Sequence, residues 1–71
     1  MERFLIIVEK ANGNFSAYCP DLSGCVATGK TREEVLKRME EAIKLHLDGM
    51  KEDNIPIPPM KSFAEYISLE R

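Results

Sequence analysis

The 71-residue sequence has no tryptophan, one histidine, two cysteines and little excess charge. Each shortage excludes something. Cys19, Cys25 and His46 are too few to make a four-ligand Cys/His zinc site within one chain. The longest apolar run, Phe4 to Val8, is far below the roughly 20 residues that a membrane-spanning helix needs. No positive N-terminal region leads into a long apolar stretch, so no signal peptide is expected. Ten Lys and Arg against twelve Asp and Glu leave a net charge of −2, without the basic field that would draw nucleic acid. There is no glycine-rich phosphate loop, no paired metal carboxylates and no His-Cys-Asp constellation, so neither an enzyme nor a cofactor is expected. What is present is a hydrophobic content of 44% against 31% charged residues, the balance of a globular chain. These features describe a soluble, cytoplasmic domain, small enough to be short of core.

The order of elements reads strand, strand, strand, helix, strand. Arg3–Glu9 is rich in β-branched and aromatic residues. Asn12-Gly13 follows it, a pair suited to a type I′ hairpin turn with both residues at positive φ. The return strand is Phe15–Cys19, stopped by Pro20. Pro20 to Gly24 is a turn-rich loop, and Cys25–Gly29 is a third short strand. Short links favour an antiparallel meander. Thr31 and Glu34 have capping-box spacing: the Thr hydroxyl accepts from the Glu34 amide and the Glu carboxylate returns to the Thr31 amide. Leu36, Met39, Ile43, Leu47 and Met50 recur at helical spacing, with Val35, Ala42 and His46 on one edge of the stripe. Glu33–Lys37, Glu34–Arg38 and Glu40–Lys44 are spaced as i,i+4 pairs. The helix should end near Asp53-Asn54, before the proline-rich connector at 55–60 forces an extended path. Phe63–Leu69 alternates weakly and is expected to add a fourth strand, with a helix as the alternative. The expected fold is thus α+β, β-β-β-α-β, an antiparallel sheet packed on one helix as a single domain over 1–71.

The first strand is apolar on both sides. Phe4, Ile6 and Val8 line one face, and Leu5 and Ile7 the other. One helix covers one face only, which leaves Leu5 and Ile7, helped by Tyr18 or Phe15, in need of another cover. Either a second subunit supplies it, or the last strand or the proline-rich segment folds over it. Leu45 lies on the charged side of the helix, where it is either a lone exposed leucine or part of the same interface. A homo-oligomer, dimer or tetramer, is expected, with Leu5, Ile7 and Leu45 as its candidate contacts.

Single residues carry less chemistry. His46 stands mid-helix at the edge of the core stripe, a place for a partly buried structural histidine. Cys19 and Cys25 bracket the loop and are expected to be reduced, semi-buried thiols. Asp21 should accept amides within its own turn. Residues 31–53 hold five basic and seven acidic side chains and the remainder five of each, so the whole acidic excess lies on the helix.

The run Tyr18-Cys19-Pro20-Asp21-Leu22-Ser23-Gly24-Cys25, then Gly29-Lys30-Thr31 opening a helix that carries Glu41-Ala42, resembles the HicB antitoxin family. That family's pattern is a strand, Pro-Asp-Leu-x-Gly-Cys, and a Gly-x-Thr turn into the helix; Ile55-Pro56-x-Pro58 resembles its exit. Lys30 stands where an acidic residue is usual. The resemblance runs from the first strand through Pro59. It implies a partial RNase H-like fold without a nuclease's catalytic carboxylates. It also implies an antitoxin role: binding and blocking a small HicA-like toxin that cleaves mRNA. Tyr18, Pro20, Asp21, Leu22, Gly24 and Cys25 are the motif residues it offers as a partner surface. Full-length members carry a C-terminal DNA-binding domain, which is not expected in 1–71. The alternative function is a stand-alone oligomeric α+β domain that binds a small molecule or another protein. No direct contact with nucleic acid or membrane is expected.

Overall fold

The computed structural model describes residues 2–71. It contains strands β1 (Ile7–Ala11), β2 (Asn14–Tyr18) and β3 (Val26–Gly29), followed by helix α1 (Arg32–Glu52). The strands form one antiparallel sheet in the order β1-β2-β3. Register pairs Val8 with Ala17 and Ala17 with Ala27, which puts Phe4, Ile6, Val8, Phe15, Ala17 and Ala27 on the side packed into the core. Phe15 therefore belongs to the inner face. Tyr18 sits opposite Ile7 and Val26 on the outer one.

The first strand starts later than the pattern of apolar residues suggests, at Ile7 rather than Arg3, and runs on to Ala11. Extending the register beyond Ile7–Tyr18 would oppose Leu5 to Pro20. Proline has no amide to donate, and the chain turns there, so the ladder does not reach Phe4 to Ile6. The hairpin turn also differs from expectation. Gly13 is at φ +77 while Asn12 is not at positive φ, a combination that belongs to type II rather than type I′.

The helix is capped at both ends. Thr31 accepts from the Glu34 amide at 3.0 Å. The Glu34 carboxylate receives the amide of Lys30 at 2.8 Å, one residue earlier than the capping-box spacing implies. At the other end Ile55 N–H donates to Met50 C=O and Asn54 N–H to Lys51 C=O. Asn54 sits at φ 56. This is a Schellman arrangement with asparagine in the left-handed position. Of the three expected side-chain pairs, Glu34–Arg38 and Glu40–Lys44 close at 3.8 and 3.5 Å. Glu33–Lys37 does not close among the described residues.

The core is six buried residues: Ala17, Cys19, Leu22, Cys25, Val35 and Met39. The centre of the helical stripe is thus Val35 and Met39, and Leu36 is displaced to one side with 42% of its surface exposed. Gly29 explains the displacement. A Cβ built there would lie 2.7 Å from the Val35 nitrogen, so β3 and the start of α1 touch backbone to backbone. The helix packs on β3 and β2, and its far flank overhangs β1.

Residues 63–69 form no strand among the described residues: Phe63 and Ala64 pass beside Arg3 to Ile6, but no ladder joins the two segments. All are exposed. The radius of gyration is 14.1 Å, against about 11 Å for a compact chain of this length. Among the described residues neither the fourth strand nor the helical alternative forms at 63–69.

Candidate functional site

The motif loop is built from two consecutive tight turns. Leu22 N–H donates to Cys19 C=O at 3.1 Å, and Cys25 N–H donates to Leu22 C=O at 3.2 Å. Pro20 follows the first residue of the first turn, where its fixed φ is favourable. Gly24 is third in the second turn at φ +79, the left-handed position of a type II turn. Cys19 N–H donates to Cys25 C=O at 3.1 Å and closes the loop at its base.

This geometry divides the six motif residues. Leu22 is a core plug with 1% exposure rather than part of an open partner surface, and Cys25 is likewise buried. Tyr18, Pro20 and Gly24 stand at the surface, and Asp21 is half-buried. Burial, and secondarily the neighbouring Cys19, push the Cys25 thiol above its ordinary pKa, so it stays protonated and unreactive. Both cysteines are free thiols.

Asp21 departs from its expected role. Its carboxylate accepts the Ser62 amide at 3.3 Å and the Ser62 hydroxyl at 3.0 Å. It therefore clamps the chain that returns from the connector, instead of bonding amides of its own turn. The spacing in sequence gave no sign of this, since the two residues are 41 positions apart. Ile55, Pro56 and Pro58 lie near Met50, His46 and the loop, so the connector runs back along the end of the helix.

Three apolar surfaces surround this frame. On the outer sheet face Leu5 and Ile7 are half-buried, while Tyr18 and Val26 are exposed. Beside β3, Leu45 and Val26 border a shallow hollow with His46 and Gly24. Over β1, Phe4, Ile6, Leu36, Ile43 and Leu47 line a groove of about 620 Å³, with Lys44 and Glu40 at its rim. Arg38 closes the β3 edge by donating to Thr28 C=O at 3.1 Å. Among the described residues no cluster of three or more His, Cys, Asp or Glu is placed to hold a metal ion. No helix is long and apolar enough to cross a membrane.

A small α+β domain, three antiparallel strands and one helix with apolar surfaces left open, is the class of protein defined here. The model of the HicB-like antitoxins of bacterial toxin–antitoxin systems matches residues 4–70, and the chain belongs to that family. A 14.9 kDa protein from the rep-hol intergenic region of Haemophilus phage HP1 is 35% identical over 89% of this chain, which spans 47% of that relative's length. A UPF0150 protein of Synechocystis is 34% identical over 93% of this chain and 85% of its own length. A chain of the HicA3 and HicB3 toxin–antitoxin complex superposes with a TM-score of 0.69 at 32% identity, covering 83% of this chain and 70% of that one.

Proposed function

We propose that this chain is the antitoxin half of a toxin–antitoxin pair, a non-catalytic cytoplasmic protein that binds a small HicA-like, mRNA-cleaving toxin and blocks it. The observation that carries this reading is the shared fold and 32% identity with a chain of a toxin–antitoxin complex. The surface is suited to it. Tyr18 and Val26 present an exposed aromatic and a β-branched side chain beside the loop formed by Pro20 and Gly24, the apolar centre of a protein interface. The acidic excess on the helix, seven acidic against five basic residues over 31–53, would steer a basic partner. In this reading residues 1–71 act as one protein-binding domain and contact no operator DNA themselves.

Co-expression with the neighbouring reading frame is the test, where that neighbour encodes a small basic protein with a lone histidine. Rescue from its growth arrest, together with co-purification, is the expected result. Tyr18→Asp with Val26→Asp should abolish both while leaving the circular dichroism unchanged. Failure of the wild-type chain to rescue or to co-purify overturns the reading.

A further inference from the structure

Leu45 and Val26 are 75 and 64% exposed, the most exposed large apolar side chains of the strands and helix. They stand on opposite sides of one hollow beside β3, about 340 Å³, with Cys25, Ala42 and His46 between them. Small residues give it room: Ala42 lines it, and a Cβ at Gly24 would meet nothing within 4 Å. The strand edge is open at the same place. Cys19 N–H donates to Cys25 C=O, so Cys25 faces β2, and by alternation the backbone groups of Val26 and Thr28 point outward. Arg38 takes the Thr28 carbonyl at 3.1 Å, and among the described residues no side chain caps Val26. Charge frames the hollow. Glu41 and Asp48 lie four residues before and three after Leu45, as its neighbours on the helix surface. Glu34 and Glu40 are paired with Arg38 and Lys44, whereas Glu41 and Asp48 make no ion pair among the described residues. A lone exposed leucine needs no explanation, but two apolar side chains sharing a hollow, an open backbone and two unpaired acids form a binding surface.

We propose that this hollow is the socket for one apolar anchor side chain of the toxin, presented on an extended segment that carries Lys or Arg beside the anchor. The inference rests on the toxin-binding reading above and adds to it a second contact area, on α1. Tyr18 is directly opposite Val26 in the sheet, so the apolar surface runs from the outer sheet face around the β3 edge to Leu45. The anchor enters between Leu45 and Val26. The toxin's extended backbone pairs with the outward N–H and C=O of Val26, and the Arg38 cap on Thr28 ends the pairing there. Basic side chains beside the anchor reach Glu41 and Asp48. A single apolar anchor in a pocket, ringed by charge, is the arrangement in which few contacts carry most of an interface's affinity.

Titration calorimetry of the full chain with the small basic protein of the neighbouring frame is the test. Leu45→Asp changes an exposed position, so its circular dichroism should match wild type while affinity falls at least about 30-fold. Leu36→Asp, the same change on the other flank of α1, should alter affinity less than about threefold. Glu41→Lys with Asp48→Lys should weaken binding about tenfold at low ionic strength, and less as salt is added. In the complex the Val26 amide should exchange with solvent at least about tenfold more slowly. A wild-type chain that does not bind the neighbour overturns the toxin reading and this one with it. Binding that needs Tyr18 and Val26 but survives Leu45→Asp overturns the socket alone. So does equal weakening by Leu36→Asp, a charge reversal without effect, or a Val26 amide that exchanges as fast in the complex as outside it.

Discussion

The two flanks of α1 carry similar apolar side chains and meet different fates. On the β3 flank, Val35 and Met39 are wholly buried, Leu22 plugs the space beneath them, and the Gly29 backbone lies against the helix. On the β1 flank, Leu36, Ile43 and Leu47 overhang a groove that is open among the described residues. The difference lies in the sheet, not in the helix. A glycine on β3 lets the helix sit close, and close contact on one side of a three-stranded sheet leaves the far strand uncovered. Residue type sets how much an apolar side chain gains from burial, while the position of the neighbouring strand sets whether it is buried.

This contrast can be broken most directly by truncation. Met39→Ala should cost about 3 kcal/mol, as cavity formation in a close-packed core does. Leu36→Ala should cost less than about 1 kcal/mol, given its exposure. Equal losses in urea denaturation would mean that the two flanks are packed alike. Gly29→Val comes next, at about 2–3 kcal/mol, because its Cβ cannot fit 2.7 Å from the Val35 nitrogen. A melting temperature close to wild type would remove the stated reason for the helix's offset. Thr31→Ala should cost about 1 kcal/mol, the usual value of an N-cap, and should act on both flanks equally.

Two smaller effects sharpen the picture at the loop. The Cys25 thiol has a raised pKa, so the native state keeps its proton at pH values where the unfolded chain has begun to release it. Its contribution to stability is therefore complete below the ordinary thiol range and declines as pH rises through it. Denaturant midpoints in an alkaline series should fall less steeply for Cys25→Ser than for wild type. Asp21→Asn should change global stability by less than about 1 kcal/mol, since the clamp it makes with Ser62 is solvent-accessible. It should speed hydrogen exchange at the Ser62 amide, and unchanged exchange would show that the tail's root is held by other contacts.

Much of the local structure was legible from residue types. Thr31, Glu34 and the Asp53-Asn54 pair mark the helix ends, since capping depends on groups within a few residues. Pro20 ended the pairing of β2, and Pro20 to Gly24 formed the expected turns. What could not be seen were relations between distant segments. The Asp21–Ser62 clamp joins loop and tail across 41 positions. The late start of β1 depends on what stands opposite Leu5. Leu22 was offered as part of a partner surface, because nothing in a turn sequence says that the turn folds under a helix. The Thr31–Glu34 spacing was right, yet the carboxylate reached Lys30, a choice made by the path of the chain before the cap.

The expectation of a fourth strand was half a statement about the chain. Phe63–Leu69 has the alternation of a strand, but a strand is completed only by a neighbour's hydrogen bonds, and no ladder reaches 63–69 among the described residues. The sequence by itself determined the order of strands and helix, the caps, the turns and the family to which the chain belongs, because those follow from short-range stereochemistry and a contiguous motif. Only the tertiary structure decided which side of the helix closed, which motif residues face solvent, and where the tail is tied down. Those depend on how closely two backbones approach, and a linear pattern of apolar residues does not contain that distance.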